Sequence, residues 1–232
     1  MARPAADIDG AAAAHGRLAR TLAALTDDDA RGPSRLPGWT LGHVLTHVAR
    51  NADSFVGMIE AARGGEVGDQ YPGGRRQREG DIEAGAGRPA GALVDDVLEA
   101  CARLETMWAE TDDETWDRGQ ARAARGPIPI ADLPSRRWRE VEVHHADLGL
   151  AYRCADWPEA YVARDLPLMV GEVAARLPAG TAVVLRATDT GERWTVPEGA
   201  VDPVEVAGDR RRLLAWIFGR VDDPSLPQLS SW

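Results

Sequence analysis

Apolar residues recur at helical spacing in four stretches of the first two thirds of the chain. These stretches predict helices over residues 5–27, 41–62, 82–110 and 134–152. The third helix is expected to be irregular at GAGRPAG, where glycine and proline interrupt the pattern. Thr40 suits the N-cap of the second helix, and Pro134 suits the first turn of the fourth. The segments 64–81 and 111–133 are rich in Gly, Asp, Arg or Pro and are predicted to be loops.

Four helices joined by loops predict an up-down helical bundle, and the pattern changes after Trp157. A helix is predicted over residues 161–177, and Asp209 is expected to cap a last helix in DRRRLLAWIFGR. Between these helices, short β-branched runs predict strands in TAVVLRAT, ERWTVP and PVEVAG. The predicted class is therefore α+β, with a four-helix bundle over residues 1–157 and a small α/β domain over residues 158–232.

The composition favours a soluble protein and argues against several other classes. A hydrophobic share of 44% and a charged share of 28% are typical of a soluble globular chain. The net charge of −10 argues against general binding to nucleic acid or to an anionic membrane, because phosphate groups require basic partners. No apolar run approaches the length of a membrane span, and two cysteines make no disulfide framework. These features predict a cytoplasmic protein, and its wholly arginine-based positive charge is typical of a GC-rich bacterial genome.

Two adjacent histidines lie beside glutamates in the fourth predicted helix, in a chain that contains only five histidines. Glu140 and His144 are four residues apart and share a helical face. Glu142 and His145 are three residues apart and also share one. A carboxylate and an imidazole on one face are two ready metal ligands, but the spacing alone leaves both registers open.

A third metal ligand would have to come from another helix, and TLGHVLTHVARN offers two histidines. At about 100° per residue, His47 lies about 40° closer than His43 to the centre of the apolar stripe, so His47 is the better candidate. Two histidines and one glutamate leave a coordination position open, which is typical of a catalytic zinc site. The alternative is that the histidines are packing residues and the glutamates a solvated face.

Three motifs give a resemblance to a known family. The sequences LPGWTLGHVLTHVARNAD, YPGGRRQREGDIEAGA and RWREVEVHHADLGLAY together resemble the mycothiol-dependent maleylpyruvate isomerase family. The resemblance implies a DinB-like four-helix bundle followed by a small sterol-carrier-type domain. It also implies that His47, Glu140 and His144 are the metal ligands. Asp147 is then either a hydrogen-bond acceptor for one imidazole or an exposed carboxylate.

Arginines are the second candidate group. Arg75, Arg76 and Arg78 form a cluster, and an arginine fork binds a carboxylate through two hydrogen bonds. The alternative is a solvated basic loop. The resemblance implies that Arg78 lies near the active site, and that Arg220 faces it from the C-terminal domain.

The resemblance implies a zinc-dependent enzyme that uses mycothiol, a low-molecular-weight thiol, to isomerise a small carboxylate substrate by thiolate addition, bond rotation and elimination. A mycothiol S-transferase acting on another electrophile is the nearest alternative, since both reactions begin with thiolate addition. A non-catalytic, metal-binding regulatory protein is the more distant one.

Overall fold

The structure is a computed structural model that describes residues 3–230 of the chain. It divides into two compact units, the first ending at Tyr152 and the second beginning at Arg153. Helices dominate the first unit, and a small sheet with helices makes the second. The predicted α+β class is confirmed.

The sequence pattern placed the boundary at residue 157, and the structure places it five residues earlier, after Tyr152. The Trp157 ring meets the rings of Tyr161 and Phe218 edge-on, with centroids 5.6 and 6.0 Å away. Its carbonyl oxygen accepts a hydrogen bond from Arg211 Nε at 2.7 Å. The residues just before the predicted boundary therefore belong with the second unit, because Trp157 is part of that unit's core.

The helices of the first unit are α1 (Ala5–Leu22), α2 (Asp27–Arg31), α3 (Leu41–Arg63), α4 (Gly74–Ala86), α5 (Ala90–Glu110), α6 (Asp113–Arg118) and α7 (Leu133–Asp147). The four long ones, α1, α3, α5 and α7, form the bundle: α1 and α3 each pack against both α5 and α7. Their apolar stripes are buried between them, and each buried leucine contributes about 2 kcal/mol by leaving water.

The first predicted helix ends earlier than expected, and a short second helix follows it. Helix α1 ends at Leu22, and Thr26 begins α2 with a capping box. Thr26 Oγ1 accepts from the Asp29 backbone N–H at 3.2 Å, and the Asp29 carboxylate accepts from the Thr26 backbone N–H at 3.0 Å. This local exchange starts α2, so the predicted end at residue 27 falls in the first turn of the second helix.

The third predicted helix is divided at the GAGRPAG stretch. Helix α4 already begins at Gly74, inside the segment predicted to be a loop, and ends before Gly87. Helix α5 starts after Pro89, and its first backbone N–H, that of Ala90, donates to the Asp27 carboxylate at 2.7 Å. Proline has no N–H to continue the previous helix, so the break falls there.

A small sheet lies where the sequence predicted only loops. Its strands, in spatial order, are β1 (Gly68–Asp69), β2 (Gln120–Ala123) and β3 (Gly126–Pro129). Strand β1 runs parallel to β2, and β2 pairs antiparallel with β3. The prediction of loops was wrong here because β1 is only two residues long and because β3 contains two prolines. Proline is tolerated in β3 because it is an edge strand.

Helix α7 ends at Asp147, earlier than the predicted end at residue 152. Gly149, two residues further on, has a φ of +73°, a left-handed conformation that glycine adopts without strain and that a helix cannot contain. The backbone N–H of Arg35 donates to the carbonyl of Asp147 at 2.8 Å. This bond satisfies one of the carbonyls that a helix end leaves without an intrahelical partner.

The second unit agrees with the predicted element order. It contains α8 (Glu159–Val173), β4 (Val183–Ala187), β5 (Arg193–Val196), β6 (Val204–Gly208) and α9 (Arg210–Ile217). Strand β4 is central, antiparallel to β5 and parallel to β6. Asp209 caps α9 as predicted, since its carboxylate accepts from the Arg212 backbone N–H at 2.8 Å.

Candidate metal centre

The start of α3 determines which of its histidines faces the bundle. Thr40 Oγ1 accepts from the His43 backbone N–H, and His43 Nδ1 accepts from the Thr40 backbone N–H at 3.2 Å. This capping box holds the His43 side chain at the helix end, where its Nε2 lies 3.2 Å from Glu83. His47 lies about one turn further along and is buried. It is therefore His47 that points into the bundle, as the apolar stripe predicted.

Helix α7 brings a glutamate and a second histidine to the same place. His47 Nε2 lies 3.1 Å from His144 Nε2 and 3.2 Å from Glu140 Oε2. The remaining side of this triangle, from His144 Nε2 to Glu140 Oε2, is 3.4 Å. The two imidazole planes are nearly perpendicular, at 86°. The three side chains named from the sequence thus converge on one point from two helices.

The triangle has the size that a first-row divalent ion requires. A point equidistant from the three atoms lies about 1.9 Å from each, close to the Zn–N and Zn–O bond lengths of about 2.0–2.2 Å. Two imidazole nitrogens and a carboxylate oxygen are a donor set that zinc accepts. Three protein ligands leave a coordination position for a further group.

The pKa values of His47, His144 and Glu140 are shifted in different directions. Burial lowers the pKa of His47 to about 4, so its imidazole is neutral at neutral pH. Burial acts in the same direction on His144, but hydrogen bonds with Asp147 and Glu140 outweigh it and raise the pKa of His144. Burial would raise the pKa of the Glu140 carboxyl, yet hydrogen bonds with the two histidines hold that pKa well below its ordinary value. Glu140 is therefore ionised, and its negative charge is directed at the centre of the site.

Each imidazole has a partner on the nitrogen that faces away from the centre. His144 Nδ1 lies 3.0 Å from Asp147 Oδ2, and the Asp147 side chain is fully buried. Of the two alternatives for Asp147, the structure shows the buried acceptor. On the other ring, Arg78 donates to His47 Nδ1 at 3.2 Å. The contact with Asp147 fixes the orientation of the His144 ring before it coordinates a metal.

Replacing Asp147 by asparagine is expected to lower the affinity for Zn²⁺ by about 10–100-fold, because the neutral amide is a weaker acceptor for the His144 N–H. Competition with a chromophoric chelator measures this. Asp132→Asn is the matched control, since Asp132 lies at the other end of α7 and its side chain makes no cap hydrogen bond. Equal affinity in the two variants would contradict the role assigned to Asp147.

The alternative register of α7 faces a different helix. Glu142 accepts hydrogen bonds from Arg17 of α1 and from Trp138 Nε1, the latter at 3.0 Å. His145 Nε2 lies 2.7 Å from Thr21 Oγ1, also on α1. The two residues therefore connect α7 to α1, and Glu140 and His144 are the pair that faces α3.

A buried arginine that sequence reasoning missed lies beside the candidate metal centre. Arg137 is completely buried. Its NH1 donates to the Val48 carbonyl and to Asn51 Oδ1, both at 2.8 Å, and its Nε donates to His15 Nε2 at 3.0 Å. Its NH2 lies 3.3 Å from Cys101 Sγ. Arg137 thus joins all four bundle helices about one turn from Glu140, and no sequence pattern distinguishes it from its neighbouring arginines.

Of the arginine cluster, only Arg78 reaches the centre. Its guanidinium carbon lies 5.6 Å from the centroid of the Tyr71 ring, a cation–π contact that sequence reasoning also missed. Burial raises the pKa of Tyr71, so its hydroxyl stays protonated. Arg75 and Arg76 are exposed, and Arg75 pairs with Glu79 at 2.6 Å. These two arginines are solvated, which agrees with the alternative of a solvated basic segment and not with a carboxylate-binding cluster.

Arg220 follows α9 in the second unit, where its NH1 donates to the Phe218 carbonyl. Its predicted catalytic role stays a prediction. Within residues 3–230, no helix combines the length and the apolar character that crossing a membrane requires.

Taken together, the fold and the site define a class: a helical-bundle protein with a three-ligand candidate metal centre, followed by a small α/β unit. A sequence model described as the mycothiol maleylpyruvate isomerase N-terminal domain matches residues 11–149. The chain belongs to this family, as its motifs predicted. An enzyme of the isomerase or thiol-transferase type follows from that membership.

Two solved structures are similar over nearly the whole chain. One is a crystal structure of the mycothiol-dependent maleylpyruvate isomerase, and the other is a mutant of the same enzyme with one histidine replaced by alanine. Each is 24% identical to this chain, covers 97% of it and 95% of its own length, and has a TM-score of 0.87. At this identity they establish the fold of both units. No functionally curated protein matches the sequence.

Proposed function

We propose that the protein is a zinc- and mycothiol-dependent cis–trans isomerase of the maleylpyruvate isomerase type, working in the bacterial cytoplasm. The observation that carries the proposal is the convergence of His47, Glu140 and His144 on a centre of metal size. Arg78 beside it is the natural partner for a substrate carboxylate.

In this proposal the three ligands hold the ion, and Asp147 fixes the His144 ring. Zinc in such a position lowers the pKa of a thiol that binds to it, so that a thiolate is available at neutral pH. Among the described residues of the first unit, the one cysteine is Cys101, which is buried against Arg137. In this proposal the nucleophile is the sulfur of mycothiol.

The reaction is an addition followed by its reversal. The thiolate forms a C–S bond to the alkene carbon β to the keto group, and the π electrons move to the keto oxygen as an enolate. The former double bond is now single and rotates. Re-formation of the carbonyl expels the thiolate and leaves the trans alkene. Arg78 holds a carboxylate and stabilises the developing negative charge.

Incubation with mycothiol and maleylpyruvate tests the proposal. We expect fumarylpyruvate to form with full recovery of free thiol. Nuclear magnetic resonance measures the product, and thiol titration measures the recovery. Activity is expected to disappear when zinc is removed with a chelator and to return when zinc is added. Protein that binds no stoichiometric zinc, or that needs no thiol, would show the proposal to be wrong.

The same experiment separates the alternatives. A stable thioether with loss of free thiol would identify an S-transferase, which shares the first addition step but lacks the elimination. A regulatory protein would bind zinc and convert neither reactant.

A further inference from the structure

The two imidazoles of the candidate metal centre are not equally prepared for a metal. His144 directs Nε2 at the centre and Nδ1 at Asp147, whose carboxylate can only accept a hydrogen bond. The proton of a neutral His144 ring therefore belongs on Nδ1, and the Nε2 lone pair is available. This is the arrangement that metal-binding histidines ordinarily have.

His47 has the opposite arrangement. Its Nε2 is also directed at the centre, but its Nδ1 lies 3.2 Å from Arg78 NH2. A guanidinium has only donors, so Nδ1 must accept this bond, and the ring proton must then be on Nε2. There it can donate to Glu140 Oε2 at 3.2 Å. In this tautomer the lone pair that a metal needs is not available.

The contact between Arg78 and His47 and the coordination of a metal by His47 therefore exclude each other. When Nε2 gives its lone pair to an ion, the proton of the neutral ring lies on Nδ1. Two N–H groups would then face each other across 3.2 Å, with a guanidinium close to a cation. Arg78 has to leave Nδ1, and its position over the Tyr71 ring gives its guanidinium a second contact that need not be lost.

We propose that Arg78 is a positioning residue that couples metal coordination by His47 to the binding of a substrate carboxylate. Coordination releases the Arg78 donors, which a carboxylate then takes up, and a bound carboxylate in turn holds Arg78 away from His47. This inference rests on the proposed function of the metal centre. By linkage, each ligand raises the affinity of the other by the same factor.

Zinc affinity of the full-length protein, measured by chelator competition with and without maleate as the dicarboxylate probe, tests the coupling. In the wild type we expect maleate to raise the Zn²⁺ affinity by about 10-fold. In Arg78→Gln the amide oxygen can accept from Nδ1–H, so we expect higher Zn²⁺ affinity without maleate and no effect of maleate. Arg75→Gln is the matched control on the same helix and should behave as the wild type, because Arg75 is exposed and paired with Glu79.

A second readout reports the tautomers directly. In ¹⁵N-histidine-labelled protein, the Nδ1 of His47 is expected to change from the unprotonated to the protonated chemical-shift range when Zn²⁺ is added, while Nδ1 of His144 stays protonated. If His47 Nδ1 is already protonated before Zn²⁺ is added, or if maleate acts equally on Arg78→Gln, the coupling is refuted although the metal centre stands. If the wild type binds no Zn²⁺ at all, the proposed function itself fails.

Discussion

Replacing His47 by alanine is expected to lower the affinity for Zn²⁺ by more than about 100-fold, beyond the loss typical of residues that only hydrogen-bond to a ligand. The substitution removes one of three protein ligands and leaves Glu140 and His144, both on one helix, to hold the ion. Isomerase activity should be lost in proportion to the metal. Metal analysis after gel filtration and chelator competition measure the first effect, and the mycothiol assay measures the second.

His43→Gln is the matched control for this experiment. His43 lies about one turn earlier on α3, and a glutamine oxygen can still accept from the Thr40 backbone N–H that the imidazole caps. This variant should retain wild-type zinc and activity. If the two variants bind zinc equally well, His47 is not a ligand and the proposed chemistry has no basis.

The second large effect is expected at Arg137. Arg137→Met should lower the free energy of unfolding by about 3 kcal/mol or more, because it leaves buried acceptors without donors. Those acceptors are Asn51 Oδ1 and His15 Nε2, while the Val48 carbonyl, inside α3, loses only its second hydrogen bond. Urea denaturation followed by circular dichroism measures the loss. Because Arg137 joins α7 to α3 beside His47 and Glu140, zinc affinity should fall as well.

Arg136→Met on the same helix controls for the loss of a positive charge. Arg136 is only half-buried, and substitutions at such positions change stability by less than about 1 kcal/mol. A loss at Arg137 no larger than that at Arg136 would mean that water or backbone shifts satisfy the acceptors. Arg137 would then not be the residue that holds the two metal-bearing helices together.

The long helices and the strands of the second unit could be predicted from the sequence because their signals are local. An apolar stripe repeated over several turns, with a capping residue such as Thr40 or Asp209, specifies a helix without reference to its neighbours. The sheet of the first unit could not be predicted in this way. Strand β1 contains only two residues and exists because β2, about 50 residues later, pairs with it.

The candidate site, too, was predicted from the sequence only in part. Helical spacing placed Glu140 with His144 and Glu142 with His145, and it favoured His47 over His43. It could not say which pair meets α3, since the two registers lie on adjoining faces of α7. The family motifs named Glu140 and His144, and the structure shows the physical reason: α1 occupies the other face with Arg17 and Thr21.

The order of residues along this chain was enough to specify its long helices, the strands of its second unit and the side chains able to bind a metal, because periodicity and capping are properties of neighbouring residues. Only the packing of the bundle established that three of those side chains lie within 3.4 Å of one another. The packing also buried Arg137, whose hydrogen bonds connect the helices, and it brought Arg78 within hydrogen-bonding distance of His47. Distances between helices that are remote in sequence depend on how their surfaces fit together, and that fit is not a local property.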